Sequence, residues 1–152
     1  MTYVVSDLHG HLDEFKQLLE IIDFSEKKDV MYVLGDIVDC GPDPIGLVND
    51  LSVRVNVYPV AGEHDFTALR MMEGYEHMLK TGERDPEFVG EMTDWINDGG
   101  GANLLGQGGA YDGRLRSAVG ELVNRLCMWQ GNPLVPVRDG METVYDWGVE
   151  NA

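Results

Sequence analysis

Val30-Met31-Tyr32-Val33-Leu34-Gly35-Asp36-Ile37-Val38-Asp39-Cys40-Gly41-Pro42 runs from an unbroken apolar stretch straight into a glycine and two carboxylates. An apolar run without polar alternation is the pattern of a buried strand in a parallel sheet. Gly41-Pro42-Asp43-Pro44 then signals a turn, and Ile45, Leu47, Val48 and Leu51 follow as a helix. Upstream the same unit occurs: Tyr3-Val4-Val5 ends at Ser6-Asp7, and Leu12, Phe15, Leu18, Leu19 and Ile22 recur at helical spacing. Downstream it occurs again, with Val55-Asn56-Val57-Tyr58-Pro59-Val60 ending at Ala61-Gly62-Glu63-His64-Asp65 before a helical pattern through Leu79. Strands alternating with helices predict an α/β fold, a mostly parallel sheet with flanking helices.

Beyond residue 80 the pattern changes. Phe88 to Ile96 reads as a helix, Asp98 to Gly109 as a glycine-rich connection, and Arg114 to Trp129 as a further helix. Leu134-Val135-Pro136-Val137-Arg138 and Glu142-Thr143-Val144-Tyr145 flank Asp139-Gly140, which predicts a C-terminal β-hairpin. With 152 residues, 43% of them hydrophobic, one domain over 1–152 is expected.

Eleven basic against 27 acidic residues leave a formal charge of −16, which opposes nucleic acid and anionic membrane surfaces as partners. A phosphate substrate meets the same field, so bound cations would have to reverse its sign locally. No apolar run reaches the ~18 residues of a membrane span, and the N-terminus has no export-signal pattern. Cys40 and Cys127 stand far apart and in no metal-knuckle spacing. These features predict a cytoplasmic protein.

In an open α/β sheet, ligands bind outside the carboxyl ends of the strands. Asp7, His9, Asp36, Asp39 and His64 all fall there, at three successive strand ends. Asp7 and His9 are two residues apart, so in an extended segment both point to one side and can grip one ion. Asp36 can bridge two ions with its two oxygens, and Asp39 can orient a ligand or water. Two ions about 3.5–4 Å apart can activate water and hold both oxygens of an in-line displacement. His64 is placed to protonate a leaving oxygen. Asp and His are costly when buried unpaired, so three such loops in order point to a site and not to structure.

Ser6-Asp7-Leu8-His9-Gly10-His11, Leu34 to Pro42 and Ala61 to Asp65 resemble the GDxHG, GDxVDRG and GNH(E/D) signatures of the calcineurin-like metallophosphoesterase superfamily. The similarity is greatest to its PPP branch of serine/threonine phosphatases and diadenosine tetraphosphatases. Residues 1–98 carry the match and 99–152 diverge. The resemblance implies an αββα sandwich, present here in part, and a dinuclear metal centre working on a phosphorylated protein or small molecule. It implies Asp7, His9 and Asp36 as ligands of the first ion, His64 as general acid and Asp39 as its partner.

Three departures bear on substrate grip and on the second ion. Cys40 stands where the family has a phosphate-gripping arginine, and a thiol cannot supply a charged fork. Glu63 replaces an asparagine that binds the second ion. Asp146 falls where the family has a histidine ligand, so the second site is read as Asp36, Glu63 and Asp146. Such a carboxylate-rich site favours Mn²⁺, the expected ion, or Mg²⁺ over Zn²⁺, with Fe as a further family alternative. The same departures allow a second reading, a catalytically impaired pseudophosphatase acting as a binding module. A third is a shortened chain whose uncovered sheet edge drives homo-oligomer formation.

Overall fold

A computed structural model of the chain describes residues 1–101, 111 and 113–126. The three apolar runs form strands β1 (Thr2–Val5), β2 (Val30–Leu34) and β3 (Val57–Val60), all parallel and ordered β1-β2-β3. Val4 pairs with Tyr32, and Tyr32 in turn with Tyr58. Helices α1 (Leu12–Ile21) and α2 (Pro44–Val53) make the two crossovers. α3 (Glu63–Thr81) and α4 (Pro86–Trp95) follow, then one π-helical turn, Ile96–Gly100, and α5 (Arg114–Leu126).

Helix starts follow local chemistry. Asp43 caps α2 by accepting from the Gly46 N–H at 2.9 Å, with Pro44 in the first turn, where the missing N–H costs nothing. Asp85 and Pro86 start α4 in the same way. The helix expected over 88–96 thus begins two residues earlier, because its capping residue is Asp85. The helix expected from Arg114 is present through Leu126; its remainder and the hairpin expected over 134–145 lie outside the described residues.

Both crossovers step in the same direction across the sheet, and right-handed connections therefore put α1 and α2 on one face. There Met31, Val33 and Val57 pack with Phe15, Leu47, Leu51, Met71 and Met72. Fully burying one such side chain contributes about 1.5–3 kcal/mol. The opposite face differs from the expectation of a strand buried on both sides. Val4 is 62% and Leu34 46% exposed, and Tyr32 and Tyr58 stack at 5.6 Å, so the described residues cover one face of the sheet only.

The core reaches into the second strand-end loop, where Ile37 and Val38 are both fully buried. That burial anchors the loop on either side of Asp36 and Asp39. Farther off, α5 packs against α2, α3 and β3 through Leu115 and Val119. A polar tie runs through Glu76 on α3, which accepts from the Tyr111 hydroxyl at 2.6 Å and from Arg116 Nε at 3.0 Å. The Tyr111 hydrogen bond, helped by Arg116, holds the Glu76 carboxyl below its ordinary range although burial opposes this.

A folded-state pKa below the unfolded one means that Glu76 contributes stability above the unfolded value and loses it as pH falls through the folded value. Glu76→Gln should lower stability in urea denaturation by about 1–2 kcal/mol at neutral pH. The difference from wild type should shrink below about pH 4.

Candidate functional site

Two loops at the carboxyl ends of β1 and β2 carry an unusual backbone. Asp7 (φ 57°), His9 (39°), Asp36 (50°), Asp39 (68°) and Cys40 (65°) all lie in the left-handed region. Asp and His visit that region more readily than most residues, yet conformations of this kind persist only where surrounding structure over-determines them. Here the loops hold each other. His9 N–H donates to Asp36 O at 2.9 Å, Gly10 N–H to Ile37 O at 2.7 Å and Asp43 N–H to Gly10 O at 2.9 Å. The approach is so close that a Cβ on Gly41 would lie 1.6 Å from the His9 carbonyl oxygen.

The third strand end is pinned to the second by a residue that the sequence reading quoted within a motif but gave no role. Asp65 is fully buried, and its carboxylate accepts from Ile37 N–H (2.8 Å), Val38 N–H (2.9 Å) and Gly62 N–H (2.8 Å). Burial pushes its pKa up to about 6, while the three N–H donors pull the other way. Its place as the last residue of the GNH(E/D)-like segment is the signal that could have singled it out. Gly62 completes the junction, since a Cβ there would meet Asp36 Oδ1 at 2.4 Å.

Around this frame, donor atoms of His9, Asp36 and His64 lie within 4.8 Å of one another. His9 Nδ1 is 2.9 Å from the Val38 carbonyl oxygen, and His64 Nδ1 is 3.0 Å from Asp39 Oδ2. Hydrogen bonds at Nδ1 leave Nε2 as the nitrogen able to ligate or to exchange a proton. The rings meet edge-to-face at 4.9 Å. Two imidazoles and a carboxylate suit a divalent first-row metal, so the residues present fit the group that the sequence led us to expect.

His64, read from sequence as an acid, thus stands among the candidate ligand atoms. Asp7 is exposed beside this group and not part of it. Glu63 is exposed at the first residue of α3, and Asp146 lies outside the described residues.

Asp39 is 1% exposed, and its Oδ2 accepts from Trp95 Nε1 at 3.0 Å besides meeting His64. Burial lowers the proton affinity of His64, but the Asp39 hydrogen bond and the charges of Asp36, Asp39 and Asp65 outweigh it, so its pKa is raised. Trp95 is buried and also forms part of a cavity of about 280 Å³ beside His64. Glu63, Thr67 and Arg70 of α3 and Glu91 of α4 also line it. Cys40 brings no charge to this wall; its thiol donates to the Asp98 carbonyl at 3.4 Å and ties the loop to the π-helical turn. Among the described residues no helix is long and apolar enough to cross a membrane.

The calcineurin-like phosphoesterase family model matches residues 2–147. The symmetrical bis(5'-nucleosyl)-tetraphosphatase of Buchnera aphidicola subsp. Acyrthosiphon pisum (strain Tuc7) is 36% identical over 101 residues, covering 62% of this chain and 36% of the relative. That of Nitrosospira multiformis is 31% identical over 104 residues, with the same two shares, 62% and 36%. The chain thus spans little more than a third of the length of these curated relatives. A crystal structure of a candidate diadenosine tetraphosphatase aligns with 59% of this chain and 40% of its own, at 27% identity and a TM-score of 0.44.

Asp65→Ala would leave three buried N–H groups without an acceptor. The expected loss is about 3 kcal/mol or more in chemical denaturation, against a few tenths for an exposed carboxylate such as Glu87.

Proposed function

Because the chain belongs to the calcineurin-like phosphoesterase family, we propose that it hydrolyses a phosphate ester with divalent metal held at the ends of β1 and β2. The observation that carries this reading is the convergence of His9, Asp36 and His64 donor atoms from three separate strand ends. Asp7, His9 and Asp36 are the proposed ligands of a first ion. Asp36 would extend to a second, shared with Glu63 and Asp146. Mn²⁺ is the proposed ion for so carboxylate-rich a set. Divalent ions bound there would polarise phosphoryl oxygens and lower the pKa of water.

The remaining roles belong to the chain. Asp39 accepts a hydrogen bond from His64 Nδ1, which fixes the ring and leaves Nε2 to deliver a proton to the leaving oxygen. Trp95 in turn holds Asp39 through Oδ2, so the dyad is set by α4 as well as by the loops. Burial of Asp39 keeps water from competing for that contact. The relatives are named for cleavage of bis(5'-nucleosyl) tetraphosphates, which supports a nucleotide-type phosphoanhydride as substrate class. The cytoplasm is the proposed setting.

One observation favours the alternative of an impaired binding module: the Cys40 thiol is engaged with a backbone carbonyl and offers no positive charge to a phosphate. Turnover of p-nitrophenyl phosphate with added Mn²⁺ decides between the two. An enzyme should lose roughly 100-fold or more of its activity in His64→Ala, the low end for a general acid. Mn²⁺ binding with wild-type turnover no greater than that of the variant would sink the enzyme reading. Asp36→Asn should remove most Mn²⁺ affinity in calorimetric titration, since it deletes the carboxylate that would serve both ions.

A further inference from the structure

The cavity beside His64 has an uneven charge. Asp39, Glu63, Glu91 and Asp98 are among the residues that line it, and besides His64 the described lining residues include one basic side chain, Arg70. An anion entering there meets a mostly acidic wall, in which Arg70 is the cation not already assigned to proton transfer.

Its position along α3 matters. Glu63, Thr67 and Arg70 follow at i, i+4 and i+7, which places them on one stripe of the helix, and all three line the cavity. Arg70 is six residues beyond His64, roughly 9 Å along the helix axis. Helical side chains lean toward the N-terminus, so the guanidinium is carried back over the turn nearer His64. The offset sets Arg70 to one side of the His9, Asp36 and His64 group, where a neighbouring group of the same substrate would lie.

The partner that Arg70 has is weakly held. Arg70 Nη1 donates to Glu91 Oε2 at 2.6 Å, with the two side chains 60% and 44% exposed. Exposed pairs of this kind contribute little, because solvent screens them and two long side chains must be ordered. A phosphate offers the planar guanidinium a doubly charged, bidentate partner. Such a group competes with Glu91 for the guanidinium, which an exposed pair releases at little cost.

We propose that Arg70 grips a second phosphate of the substrate, which therefore belongs to esters or anhydrides carrying at least two linked phosphates. This rests on the hydrolase reading above and adds the residue that selects among phosphate compounds.

The test is calorimetric titration of the Mn²⁺-loaded full chain with two probes, orthophosphate and imidodiphosphate, whose P–N–P bridge resists cleavage. In Arg70→Gln, imidodiphosphate should bind about tenfold more weakly while orthophosphate stays within about twofold, the size of one lost charged hydrogen-bonding partner. Glu91→Gln should tighten imidodiphosphate, because it frees the guanidinium. A merely structural ion pair would shift both variants the same way, and that result would overturn the assignment. So would an equal loss of both probes in Arg70→Gln, which would put the residue at the first phosphate. If wild type binds neither probe, the hydrolase reading falls together with this one; if it binds both and Arg70→Gln changes nothing, this one falls alone.

Discussion

One buried carboxylate holds the site together. Asp65 accepts from the backbone of Gly62, Ile37 and Val38, so a single side chain ties the β3 end to the β2 loop. Those N–H groups lie where water cannot reach, and each would cost about 1–3 kcal/mol if left without an acceptor. Satisfying them lets Ile37 and Val38 enter the core while Asp36 and Asp39 flank them at the strand end. The conformational cost of five left-handed residues is met by this clamp and by the hydrogen bonds between the first two loops.

From that frame the chemistry follows by contact. Asp36 Oδ1 accepts the His64 backbone N–H at 3.1 Å, so the start of α3 is docked on the same carboxylate whose atoms join the metal-competent group. The Asp39 carboxylate is shared between His64 and Trp95, which couples the position of the imidazole to that of α4. The cavity opens along this line, between α3 and α4. The His9, Asp36 and His64 donor atoms are thus set by backbone hydrogen bonds and by the side chains of Asp39, Asp65 and Trp95.

Much of this was legible in the order of residues. The three apolar runs, the Asp43-Pro44 helix start and the polar groups at each strand end are local features, and the structure has strands, a capped helix and loops at those places. The parallel sheet followed from strand–helix alternation. Other features were not legible, because they depend on which surfaces meet. Trp95 reads like any core tryptophan until α4 lies against the β2 loop and its indole N–H finds Asp39. Arg70 reads as a solvated helix charge until Glu91 is brought across from α4. Cys40 showed that an arginine was absent, but not that its thiol would bind the Asp98 carbonyl 58 residues later.

The sequence by itself determined the strand-and-helix alternation, and with it the gathering of Asp7, His9, Asp36, Asp39 and His64 at one end of a sheet. Parallel strands bring their ends together whatever the rest of the chain does, which is why periodicity and turn chemistry sufficed. Only the tertiary structure decided which donor atoms approach within ligand distance, which carboxylate serves the backbone instead, and which cation faces the cavity. These outcomes depend on packing between α3, α4 and the loops, where separations of a few ångströms divide a hydrogen bond from none, and no local pattern encodes them.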